Sequence, residues 1–140
     1  MKKVLYILFT ATILLVSCTS KDQKVVNQLE GEWQITSMTV DGTAVSADEY
    51  ENTTYKFDKC KVKDEDCNGK IIDNDPVKGI IETDFTYSVS NDGETISMTF
   101  EFFGITDTQS SMITESSKSK MVFEFTDDDG EVTITSLSKI

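Results

Sequence analysis

The sequence contains no arginine and no histidine, and only one proline and one tryptophan. Without arginine, no planar guanidinium fork can grip a phosphate or carboxylate bidentately. Without histidine, the side chain that most often serves as general base or metal ligand near neutral pH is missing. Lysine alone supplies the 13 cations, set against 25 carboxylates, for a formal charge of −12. That balance excludes the clustered cations on which nucleic-acid binding depends, and it favours solubility. No apolar run reaches the ~20 residues a membrane-spanning helix requires. Serine and threonine are abundant, but no base accompanies them, and no two carboxylates are singled out to face a common cleft. The chain therefore reads as non-enzymatic, with no cofactor, no metal and no nucleic-acid partner.

The N-terminus is more specific. Met1-Lys2-Lys3 forms a short basic segment, and an apolar stretch from Val4 to Val16 follows, interrupted only by Thr10 and Thr12. Its length fits the apolar core of a secretory signal, about 7–15 residues. It ends Leu15-Val16-Ser17-Cys18, which resembles the lipobox of bacterial lipoproteins. The resemblance implies removal of residues 1–17, thioether lipidation of Cys18 and acylation of the new N-terminus, the multiple-chain arrangement that stable anchoring requires. The polar run Cys18-Thr19-Ser20-Lys21-Asp22-Gln23-Lys24 reads as a tether, assigned to residues 18–27, ahead of a domain over residues 28–140. Thr19 stands where an aspartate would signal inner-membrane retention in enterobacterial lipoproteins. By that resemblance the protein belongs in the cell envelope, on the outer membrane, at its periplasmic side or the cell surface. Lys21-Asp22 is similar to a fragment of the surface-export signal of Bacteroidetes lipoproteins.

Cleavage would leave 11 lysines against 25 acids, a formal charge of −14. An acidic body of this kind repels anionic headgroups and leaves anchoring to the lipid. With Cys18 lipidated, Cys60 and Cys67 have only each other to pair with, in a compartment that permits disulfides. The eight-residue ring they close is worth about 2.5 kcal/mol by loop entropy. A metal site is the alternative, poorly served by two thiols without histidine.

Strand signals dominate the rest. Ile96, Met98, Phe100 and Phe102 alternate with Thr95, Ser97, Thr99 and Glu101, the period of a half-buried strand. Phe85, Tyr87 and Val89 alternate likewise, and Asn91-Asp92-Gly93-Glu94 supplies a hairpin turn between the two runs. Met121, Phe123 and Phe125 form another such face. Asp127-Asp128-Asp129-Gly130 turns the chain into a run where Val132 and Ile134 alternate with Thr133 and Thr135. The parity slips before Leu137, predicting a bulge there. Strands are also predicted over Trp33–Val40, turned by Asp41-Gly42, over Thr53–Asp58 and around Met112–Ser117. Only Val25–Leu29 looks helical, and residues 60–76 read as loop. The acidic runs at 64–66, 73–75 and 127–131 lack the alternating ligands and distal glutamate of a calcium loop and read as solvated turns. The pattern predicts an all-β fold, a small antiparallel up-and-down barrel of about eight strands with a short N-terminal helical turn.

Leu29-Glu30-Gly31-Glu32-Trp33 places a Gly-x-Trp at the entry to the first strand. Together with the lipobox, the acidic body and the short Asp-Gly hairpins, it resembles the lipocalin-like lipoproteins common in Bacteroidetes. The resemblance rests on Leu29, Gly31 and Trp33, and in strand order it extends over nearly the whole chain after Cys18. It implies that Trp33 closes the bottom of the barrel. Lipocalins place an arginine over that tryptophan; here Lys139 is the only cation late enough to substitute. Tyr55, Phe57, Phe85, Tyr87, Phe100, Phe102, Phe123 and Phe125 lie on the predicted inner faces, where they either line an apolar pocket or fill the core. The two outcomes correspond to two functions. One is a membrane-anchored binding protein for a small apolar ligand. The other is a solid-core module or inhibitor that contacts another protein through its loops or acidic face. Neither the ligand nor an oligomeric state is specified by the sequence.

Overall fold

The computed structural model describes residues 19–64 and 66–140; the signal segment 1–17 and Cys18 lie outside the described residues. The elements are α1 (Lys21–Leu29), β1 (Gly31–Val40), β2 (Thr43–Ala44), β3 (Thr53–Phe57), β4 (Cys67–Asp75), β5 (Gly79–Ser90), β6 (Thr95–Phe102), β7 (Ile105–Ser116), β8 (Lys120–Thr126) and β9 (Val132–Lys139). Successive strands pair antiparallel, and β1 pairs with both β3 and β9. Strands β1 and β3 to β9 thus close an eight-stranded up-and-down barrel, the fold class expected, while the two-residue β2 only extends the β1 hairpin. Closure removes the sheet edges that such a chain would otherwise expose.

The helix starts earlier than its apolar residues suggest. Ser20 caps it, its hydroxyl accepting from the Gln23 amide, and Asp22 sits in the first turn, where a negative charge suits the helix dipole. Residues 21–27, expected in the tether, therefore belong to α1, and Val25, Val26 and Leu29 are buried in the core. Asp22 also accepts a hydrogen bond from the Gly93 amide at 2.6 Å, tying the helix to the β5–β6 turn.

Two further expectations are corrected. Residues 60–76 are not simply loop, because β4 occupies Cys67–Asp75. Asn, Gly and Asp have poor strand propensity, but β4 is held on both sides by β3 and β5, so tertiary pairing overrides composition. Gly69 has a positive role there: a Cβ at this position would lie 2.4 Å from the Phe85 ring, so its missing side chain is the space the ring occupies. The predicted bulge before Leu137 is absent from β9. The register shift lies in β1, between Ile35 and Ser37, opposite Leu137 and Ser136. Thr36 is the extra residue, and it switches the inward face of β1 from Trp33 and Ile35 to Met38.

Candidate functional site

The barrel has two unlike ends. At the closed end, Leu29 and Trp33 are fully buried, and the Trp33 indole N–H donates to the Leu29 carbonyl at 2.6 Å. The Lys139 ammonium lies 5.2 Å from the centre of the Trp33 ring and donates to the Gln28 carbonyl at 3.2 Å. Gly31 has φ +120°, and a Cβ there would lie 2.8 Å from Lys139 Cε. The glycine thus gives the lysine stem its path over the tryptophan. The Cys60–Cys67 disulfide closes the neighbouring loop, and Gln23 pins that loop to α1 by donating to the Cys60 carbonyl and accepting from the Val62 amide.

Above this plug the aromatic residues divide. Phe57, Phe85, Tyr87 and Phe100 are buried and pack on one another, Phe57 against Tyr87 and against Phe85 edge-on at 5.1 and 5.6 Å between ring centres. They fill the lower barrel. Burial, helped by the charges of Asp58 and Glu30, holds the Tyr87 hydroxyl in its protonated form well above the usual tyrosine range.

Tyr55, Phe123 and Phe125 do something else. With Met38, Met98, Gln109, Ser111, Thr133 and Thr135 they line a cavity of about 260 Å³ in the upper barrel. Its walls combine apolar side chains with hydroxyl and amide groups. The Tyr55 pKa is raised by burial alone, with no hydrogen bond contributing. Of the expected pocket residues, Phe102 is misplaced: it is 48% exposed and stacks on Phe100 from the rim. The cause is that β5–β6 pairing stops at Phe85 and Phe100, so the wall splits between the two strands beyond that point, β5 staying paired with β4 and β6 with β7. A groove lined by Glu82, Thr83, Asp84, Glu101, Phe102, Phe103 and Gly104 marks the split.

Thr133 and Thr135 were hidden by the pattern around them. Val132 and Ile134 invited an inward assignment, yet Thr133, Thr135 and Leu137 pair with Phe125, Phe123 and Met121, on the inner face. Ser111 is buried, opposite Phe125, and no periodicity announces an inward serine. A hollow of about 430 Å³ on the outer wall is mainly polar and is spanned by the ion pairs of Lys70 with Glu82 and Asp84.

The acidic turns serve local geometry. Asp75 accepts from the Val77 and Lys78 amides, which lowers its pKa, and Asp127 accepts from the Asp129 and Glu131 amides. Among the described residues no three acidic or cysteine side chains converge into a metal-sized cluster.

Comparison with known proteins agrees with this architecture. A crystal structure of a lipocalin-like protein from Bacteroides uniformis matches at a TM-score of 0.59 and 20% identity, over 81% of this chain and 99% of that one. Two redesigned β-barrels match at 17% identity each. One has a TM-score of 0.52, over 83% of this chain and 95% of its own. The other, mFAP1 bound to DFHBI, has 0.50, over 82% and 98%. At these identities the likeness is one of fold. No curated protein matches in sequence. The family model for the lipocalin-like domain matches residues 29–123, which runs from the leucine ahead of the Gly-x-Trp into β8, and the chain belongs to that lipocalin-like family.

Proposed function

We propose that this chain is a non-enzymatic carrier or sensor of a small amphipathic molecule, held at the outer membrane by lipid on Cys18 after removal of residues 1–17. The cavity in the upper barrel carries the reading. At about 260 Å³ it falls just below the usual ~300–1,000 Å³ of ligand sites, so the ligand is small. Apolar walls from Met38, Met98, Phe123 and Phe125 favour a hydrocarbon or ring surface. The Tyr55, Ser111, Thr133 and Thr135 hydroxyls and the Gln109 amide favour polar substituents on the same molecule. This narrows the apolar ligand expected from sequence to one with at least two hydrogen-bonding groups. The Leu15-Val16-Ser17-Cys18 run supports the anchor, and the Gly31-x-Trp33 pair beneath Lys139 supports a closed bottom.

The test is untargeted mass spectrometry of protein purified from its native source, run beside a Ser111→Leu variant. The leucine would project into the cavity. A small molecule that co-purifies with the parent and is lost from the variant is the expected result. A parent that carries nothing, and binds nothing from a lipophilic extract, would rule out the carrier function.

A further inference from the structure

We infer that the closed end of the barrel is a docking face for phosphate headgroups of anionic membrane lipid, with Lys24, Lys118 and Lys139 as its cations; the inference rests on the proposed Cys18 anchor. The acidity of the whole chain conceals a polarity along the barrel axis. The four mouth segments, residues 41–52, 73–84, 101–107 and 127–131, hold fourteen acids and a single lysine, Lys78. Eight of the eleven lysines after Cys18 lie at the other end, in α1, the disulfide loop, the β7–β8 turn with its flanks, and Lys139.

At that end a pocket of about 430 Å³ is lined by Thr19, Lys24, Asn27, Gln28, Lys118 and Lys139, with three cations and no acid. Four acids at this end are engaged, Asp22 by the Gly93 amide, Asp92 by Lys21, Glu115 by Lys120 and Glu32 by Lys56. With Glu30, Asp58, Glu94 and the acids in the sequence of the disulfide loop, Asp64, Glu65 and Asp66, they bring the end as a whole close to neutrality, against one lysine and fourteen acids at the mouth. Among the described residues none of the three pocket lysines forms an ion pair. Thr19, on the pocket wall, directly follows Cys18, so the anchored lipid would leave the chain within one residue, about 3.8 Å of backbone, of the pocket. An anionic bilayer surface would attract the three-lysine pocket and repel the mouth far more strongly than the near-neutral closed end, and that difference would hold the barrel upright with its cavity facing away from the membrane. A lysine brought to such a surface shifts the balance by about 1 kcal/mol, or roughly fivefold.

Trp33, the only tryptophan, reports from this end. The mature lipidated chain is reconstituted into phosphatidylcholine vesicles, with or without phosphatidylglycerol, each carrying a dansyl-headgroup lipid as energy-transfer acceptor. Flotation scores the anchor independently. Transfer from Trp33 should be higher on the anionic vesicles and fall to the neutral level at about 1 M salt, where the screening length is only ~3 Å. Lys24→Gln with Lys118→Gln should lower the docked-to-tumbling ratio about 25-fold, two fivefold steps. Lys78→Gln, a single charge removal at the mouth, should leave it unaltered, whereas Lys24→Gln alone should lower it about fivefold. Lys24 and Lys118 are exposed, and unchanged native Trp33 emission checks that the variants fold. Equal transfer on both vesicles, or a double variant that behaves as the parent, overturns the docking face while flotation leaves the anchor standing. Failure to float on either vesicle overturns both.

Discussion

Replacing Trp33 by alanine tests the architecture at its most concentrated point. The side chain is fully buried, its N–H satisfies the Leu29 carbonyl and its ring lies beneath Lys139. Removing a buried aromatic of this kind costs about 3–5 kcal/mol, and a domain of this size has only about 5–15 kcal/mol in total. With a urea slope of about 1–3 kcal/mol per molar, a loss near 4 kcal/mol moves the midpoint down by roughly 2 M, or abolishes the folded baseline in a weaker parent. The assay is a urea melt followed by far-ultraviolet circular dichroism, since the variant has no tryptophan to report by fluorescence. Two companions separate the contributions. Trp33→Phe keeps most of the buried ring but leaves the Leu29 carbonyl without its donor, a loss of about 1–3 kcal/mol. Lys139→Ala should cost only about 0.5–1 kcal/mol, the value of an exposed cation over a ring. A Trp33→Ala midpoint indistinguishable from the parent's would refute the plug, and a Lys139→Ala loss as large as that of Trp33→Ala would show that the lysine, not the indole, closes the barrel.

Reduction of the Cys60–Cys67 disulfide should lower stability by up to about 2.5 kcal/mol, the loop-entropy value for its small ring, read as a drop in the melting midpoint on adding reductant. Gly69→Ala should cost about 1–3 kcal/mol by overpacking, since the new Cβ meets the Phe85 ring; an unchanged melt would contradict that packing. Tyr55 and Tyr87 both have raised folded-state pKa values, so in the unfolded chain they ionise first, near pH 10. Stability is then complete below that pH and falls as pH rises beyond it; an alkaline melt series should show the decline, and Tyr55→Phe should reduce it. Cys18→Ala should release the protein from the membrane fraction, and a variant that still sediments with membranes as the parent does would remove the lipid anchor.

The strands that declare themselves in sequence are those with one apolar face and a turn on each side. β6 is legible residue by residue because Ile96, Met98 and Phe100 alternate with hydroxyl residues. β4 is not, because its inward positions include Gly69, whose role is to be absent, and its propensity is overridden by neighbours remote in sequence. Phe102 keeps the alternation of its strand and still leaves the core, because where pairing stops depends on the partner strand and not on its own residues. α1 hides its first turn for a similar reason: Lys21 to Lys24 are polar, and only the Ser20 cap and the Asp22 bond to Gly93 show why they are helical.

The candidate site was the least legible part, and the reason bears on function. An eight-stranded barrel has an interior that side chains can just fill, so any cavity must come from inward positions occupied by small residues. In the lower barrel the inward set is Phe57, Phe85, Tyr87 and Phe100, and the interior is solid. In the upper barrel Ser111, Thr133 and Thr135 take that place, and each contributes a hydroxyl where a larger apolar side chain would have closed the space. Had β9 faced its Val132 and Ile134 inward, as their hydrophobicity invites, the mouth would hold more apolar volume and fewer hydroxyls. The extra residue Thr36 keeps β1 in step with this choice, since it brings Met38 opposite Thr135. Among the described residues the only fully buried side-chain polar atom without a partner is Gln28 Oε1, at the closed end, so none of these cavity hydroxyls is sealed away unpaired. They line an open mouth where a small molecule could reach them, which is the physical content of the proposed carrier function.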